Sequence, residues 1–133
     1  MAPTFDGHEM TFLRGQRLGR LATVDRKGAP QNNPVGFVLD EATGQILIGG
    51  RALATTRKFR NLARNHHVAF VVDELASVDP WQVRGVEIRG RAEALQDAEP
   101  PMRGMGREVI RITPDWIASW GVIVGTEGMT VRT

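Results

Sequence analysis

The segment Gly49-Gly50-Arg51-Ala52-Leu53-Ala54-Thr55-Thr56-Arg57-Lys58 gathers the residue types in this chain best suited to chemistry. It falls where the hydrophobic pattern changes from strand to helix, which puts hydroxyls and cations at a helix start. Free N–H groups there carry partial positive charge, Thr55 and Thr56 can donate hydrogen bonds, and Arg57 with Lys58 can neutralise a phosphate dianion. The same residues also fit a capped helix whose basic face is simply solvated. No GKS or GKT follows Gly50 and no GxGxxG is present, so nucleoside triphosphate and Rossmann readings are poor.

A second candidate is Pro34-Val35-Gly36-Phe37. Proline and glycine inside a strand imply lost ladder bonds and close backbone approach, either for a flat ring or for a bulge that curves a barrel. Among three tryptophans and no tyrosine, Trp81 is the functional candidate, because the polar loop after Asp79-Pro80 makes burial least automatic. Trp116 and Trp120, four apart, read as core or as dimer-interface packing. Ser77 and Ser119 lie outside GxSxG, which argues against serine hydrolysis. His66 and His67, adjacent on a strand, face opposite sides and read as surface or packing residues; no metal site is expected. With so few side chains suited to acid–base or nucleophilic work, and no catalytic residue identified, a bound cofactor is expected to supply the chemistry.

These residues need a scaffold, and the pattern supplies one. Residues 1–10 read as a flexible N-terminal tail, followed by a brief helix over Thr11 to Arg17. Strands are expected at Leu18 to Val24, Gln31 to Leu39 and Ile46 to Ile48, joined by polar turns through Gly28 and Gly44. A helix capped by Thr55 and ending near Asn65 follows. Then come a strand from Val68 to Val72, a long half-exposed one from Val83 to Glu93, a loop from Asp97 to Gly106, a strand from Glu108 to Ile112 and an apolar stretch from Trp116 to Val124. Short polar turns between strands argue for an antiparallel barrel rather than βαβ units.

The 133 residues, 41% of them hydrophobic, suit one domain spanning 1–133. No cysteine is present, which excludes disulfides and thiolate chemistry and points to the cytoplasm. No apolar run is long enough for a membrane span, and no signal pattern opens the chain. Seventeen basic residues against 15 acidic ones are too even for nucleic acid to be expected as a partner. The cations, arginine at all but Lys27 and Lys58, favour a phosphate or carboxylate ligand.

Taken in order, these segments resemble the pyridoxamine 5'-phosphate oxidase-like family of flavin and deazaflavin split barrels. Leu18-Gly19-Arg20-Leu21-Ala22-Thr23-Val24 with Gly28-Ala29-Pro30-Gln31 resembles the family's opening hairpin, and Asn33-Pro34-Val35-Gly36-Phe37 the strand on which the ring rests. Thr55-Thr56-Arg57-Lys58 with Asn61-Leu62 and Asn65 resembles its phosphate-gripping helix entry. Asp79-Pro80-Trp81, Val86 to Ala92, Ile112-Thr113-Pro114 and Ser119-Trp120-Gly121 resemble the actinobacterial F420-dependent branch, near the reductases of tetracycline-type pathways. The resemblance implies a mainly β, six- to seven-stranded antiparallel split barrel with one main helix. It also implies a homodimer with cofactor at the subunit interface, Thr55, Thr56, Arg57 and Lys58 on the phosphate, and Gln31, Pro34, Val35 and Gly36 on the ring or ribityl chain. Trp81 would reach across to the partner's cofactor. Arg51, at the mouth of the same element, would meet a second anionic group such as the acidic tail of coenzyme F420, which flavin mononucleotide (FMN) lacks. The expected activity is hydride transfer from F420 to an activated double bond of a small molecule, with His8 or solvent completing the addition. An FMN oxidoreductase, or a flavin or deazaflavin binder without turnover, are the alternatives.

Overall fold

The computed structural model describes residues 2–123 and 128–133. The elements are α1 (Gly7–Arg14), β1 (Leu18–Val24), β2 (Pro30–Gly36), β3 (Val38–Asp40), β4 (Gln45–Ile48), α2 (Arg57–Asn61), β5 (His67–Ser77), β6 (Gln82–Leu95), β7 (Val109–Trp120) and β8 (Met129–Arg132). All pairings are antiparallel, in the order β2-β1-β5-β6-β7-β4-β3, with β8 added to β7. The expected split barrel is the fold found: a half-open antiparallel barrel whose seven-strand path carries β8 as an eighth strand, with short helices. The apolar stretch expected from Trp116 ends at Val124, which lies outside the described residues.

Alternation builds the core. In β1, Leu21 and Thr23 are buried between more exposed neighbours, and Phe70 of β5 meets Phe37 edge to face at 5.4 Å. Ile46, Ile48, Ile88, Ile110, Ile112 and Ile117 complete a β-branched interior. The turn between β1 and β2 closes on Asp25, whose carboxylate accepts the N–H groups of Lys27 and Ala29.

Several elements differ from the sequence reading: β5 runs on to Ser77 rather than ending at Val72, α2 ends at Asn61 rather than near Asn65, and β8 was not expected; three further differences have a visible local cause. The first helix begins at Gly7, not Thr11, because Asp6 and Glu9 form a capping box: each side chain accepts the other residue's backbone N–H. Phe5 and Glu9 are buried, and the Arg132 guanidinium of β8 holds the Glu9 carboxylate and donates to the Thr4 carbonyl at 3.0 Å. Residues 5–10 are therefore built into the fold rather than a tail.

Strand β7 is continuous where two segments were expected. Pro114 sits inside β7 because the strand changes neighbour there: β4 pairs as far as Ile112 and β8 begins at Ile117, so residues 113–116 have no strand partner on that side among the described residues. Opposite, β6 shifts register between Arg89 and Gly90, and a Cβ on Gly90 would lie 2.1 Å from the Thr113 carbonyl oxygen.

The second strand is interrupted at Phe37, not at Pro34. Asp25 donates to Ala29 at the hairpin's closed end and Phe37 donates to Arg17 at the other, so the odd-numbered residues of β2 bond to β1. Pro34 consequently turns its nitrogen to the open edge and loses no ladder bond, which corrects the expectation.

Candidate functional site

The phosphate-type element is a 3₁₀ turn (Leu53–Thr55) running into α2. Thr56, not Thr55, is the N-cap: its hydroxyl accepts from the Phe59 N–H at 3.4 Å. The helix starts one residue later than expected because Thr55 belongs to the 3₁₀ turn, where its hydroxyl donates to the Ala52 carbonyl at 2.7 Å. Thr56 likewise donates to Leu53 at 2.6 Å. Both hydroxyl protons are thus committed to the chain's own backbone. The donors left to an anion are the first amides of α2, at Arg57 and Lys58, together with the cationic side chains.

Those cations stand out electrostatically. Between Glu41 and Asp73 the chain carries Arg51, Arg57, Lys58, Arg60 and Arg64 and no acidic residue. Eight arginines elsewhere form ion pairs with Asp or Glu; none of these five does, among the described residues. The adjacent carboxylate is Asp25 in the β1–β2 turn. It is held below the usual aspartate range by the N–H groups of Ala29 and Lys27, with the charges of Lys27 and Arg57 adding to the effect. One of its oxygens, Oδ1, accepts both of those N–H groups.

Gln31 joins this corner through a buried amide. Asn61, the last residue of α2 and only 7% exposed, donates through Nδ2 to Thr23 Oγ1 at 3.0 Å and to Gln31 Oε1 at 3.1 Å. A side chain that polar survives in an apolar interior only when hydrogen-bonded. Asn61 and Thr23 were not singled out as site residues from the sequence; the available signal was an asparagine between the core residues Phe59 and Leu62.

The rest of the candidate set is divided. Gln31 and Val35 share the inward face of β2 with their partners Thr23 and Gly19, and Val35 is buried in the core. Pro34 and Gly36, opposite Arg20 and Leu18, lie on the outer face and open edge. Arg51 is exposed where the loop between β6 and β7 folds back: Gly106 N–H donates to the Gly50 carbonyl, and a Cβ on Gly49 would fall 2.7 Å from Met105 Sδ. Trp81 is 68% exposed at the β5–β6 hairpin tip. Eleven residues of β5, roughly 35 Å of strand, separate that tip from the end of α2. Within one chain, Trp81 and Arg57 are at opposite ends of the molecule. His8 lines a separate cleft of about 310 Å³ with Gln16, Glu74 and Arg84, between α1 and that hairpin.

Known proteins can be set beside this geometry. The pyridoxamine 5'-phosphate oxidase family matches residues 5–121. The chain belongs to that family. It is 48% identical over 119 residues to the 5a,11a-dehydrotetracycline/5a,11a-dehydrooxytetracycline reductase of Streptomyces rimosus, covering 89% of this chain and 84% of that one. A solved structure named F420 reductase superposes with a TM-score of 0.64 at 25% identity, over 86% of this chain and 98% of its own. A haem-binding protein of Mycobacterium smegmatis reaches a TM-score of 0.69 at 16% identity, over 99% of this chain and 60% of its own. The family supports oxidoreductase chemistry in general, and the fold alone accommodates more than one kind of cofactor.

Proposed function

We propose that this chain is a reductase that binds coenzyme F420 at the corner formed by α2, the β1–β2 turn and β2, and reduces an activated double bond of a small organic substrate. The observation that carries the reading is Arg57 and Lys58 at the start of α2, beside its free first amides and without ion-pair partners among the described residues, with the exposed Arg51 shortly before them. An unneutralised corner of this kind fits an anion, and its charge exceeds what one phosphate requires. Arg57 and Lys58 take the phosphate with Thr55 and Thr56 shaping the turn, Arg51 takes an acidic tail, Gln31 donates to the ribityl chain or ring, and the open edge at Pro34 to Gly36 lies against the ring. Bound and reduced, the deazaflavin supplies a hydride; the protein binds and orients the reactants. Similarity to a reductase of a dehydrotetracycline, at 48% identity, supports an enone-type substrate and a place near the tetracycline-pathway reductases of the F420-dependent branch.

The working unit is proposed as a homodimer in the cytoplasm. Opposed residues of an antiparallel sheet share a face, so Pro34, Arg20, Val71, Glu87, Ala118 and Val131 form one row across β2-β1-β5-β6-β7-β8. Leu18, Leu75, Val83, Met129 and Val131 are exposed and belong to this face, and Val78 and Trp81 extend it at the hairpin tip. The ion pairs Arg20–Asp73 and Arg89–Glu87 lie on the same face, and a surface of exposed apolar side chains mixed with paired charges suits a second copy. A partner's hairpin would then carry its Trp81 toward the cofactor that Trp81 cannot reach within its own chain. No helix among the described residues is long and apolar enough to cross a membrane.

The test is a fluorescence titration of the purified protein with F420 and, separately, FMN. Preference for F420, followed by oxidation of reduced F420 with a tetracycline-like enone, is the expected result. Preference for FMN would make it a flavoprotein, binding without turnover a carrier, and binding of neither would remove the phosphate assignment.

A further inference from the structure

We propose that Asn61 is a positioning residue that fixes the direction of the Gln31 carboxamide in the cofactor site. The inference rests on the site proposed above and goes beyond its list of contacts. Asn61 touches no ligand itself, being closed off between Phe59 and Leu62 in the core. Its two amide hydrogens have separate acceptors, Thr23 Oγ1 on β1 and Gln31 Oε1 on β2. Because Gln31 accepts through Oε1, its Nε2 is the end without a partner among the described residues, and Gln31 is only half-buried. The residue thus presents N–H donors, rather than a carbonyl, to whatever occupies the corner.

The arrangement also links the parts of the site mechanically. Asn61 ends the helix whose start carries Arg57 and Lys58, while Thr23 and Gln31 are cross-strand partners next to the Asp25 turn. One buried amide therefore holds the cationic helix and the donor strand in a single register. Losing it would leave Gln31 able to rotate and present either end.

A double-mutant cycle with Asn61→Leu and Gln31→Met tests this, with F420, FMN and inorganic phosphate as probes. Each single variant is expected to bind F420 about tenfold more weakly, as for one lost hydrogen bond. The double variant is expected to be no weaker than either single, because the second change removes what the first has already disabled. Inorganic phosphate, held at the start of the helix that Asn61 ends, is expected to bind the Gln31→Met variant like the wild type. Independent losses that multiply to about a hundredfold, or wild-type F420 affinity in a folded Asn61→Leu protein, would overturn the assignment. Should Asn61→Leu not fold, Thr23→Val paired with Gln31→Met reads the same coupling from the other anchor. Wild-type protein that binds neither F420 nor FMN would sink the parent reading and this one together; wild-type binding with multiplicative losses overturns the positioning role alone.

Discussion

At the scale of single residues, Lys58 and Asp25 make opposite kinds of prediction. Lys58 has no ion-pair partner among the described residues, so Lys58→Ala removes an interaction only a ligand can make. Affinity for the phosphate-bearing cofactor should fall about 10- to 100-fold, as for a lost charge-assisted hydrogen bond, with the melting temperature nearly unchanged. Asp25 serves the turn. Its native pKa is lowered by the Ala29 and Lys27 N–H groups, so its stabilisation is complete above the unfolded value of about 3.9 and is lost as pH falls through the lower native value. Thermal melts across the acid range should show Asp25→Asn less sensitive to acid than the wild type, which loses this contribution. Arg57 and Lys58 were legible in the sequence because charge and spacing are local properties. Asn61 was legible only as a member of a family-like segment, because its partners lie 38 and 30 positions away.

Among the elements, the sharpest expectation concerns the place where β6 and β7 cross their register shift. Gly90→Ala forces a methyl against the backbone at Thr113, which has no flexible side chain to yield, and should cost about 3 kcal/mol in urea unfolding. Alternation made β1 readable to its ends and found the positions of β4 and β6, since a half-buried strand prints its burial onto the sequence, but it merged β2 with β3 and ended β5 five residues early. It failed where proline was taken at face value. Pro34 and Pro114 both look like breaks, yet one lies on an open edge and the other in a gap between two partners, and both facts depend on which strands become neighbours. The early start of α1 was readable from Asp6 and Glu9, a short-range signal that the apolar pattern obscured.

For the whole molecule, the exposed sheet face makes the dimer testable. Val131→Glu places a charge at the β8 edge of this face and should shift the species seen by sedimentation from dimer to monomer without unfolding the chain; a wild-type protein that sediments as a monomer would refute the assembly. Order and spacing of many weak segments made the fold and family legible, whereas separation of Trp81 from Arg57 could not be read before β5 and its hairpin had a direction. The cations from Arg51 to Arg64, without ion-pair partners among the described residues, have one more consequence, a kinetic one. Uncompensated charge acts beyond contact range, so an incoming anion is drawn to this corner before it docks. The association rate should therefore fall steeply as salt is added while dissociation changes little, and stopped-flow mixing at increasing ionic strength would separate the two.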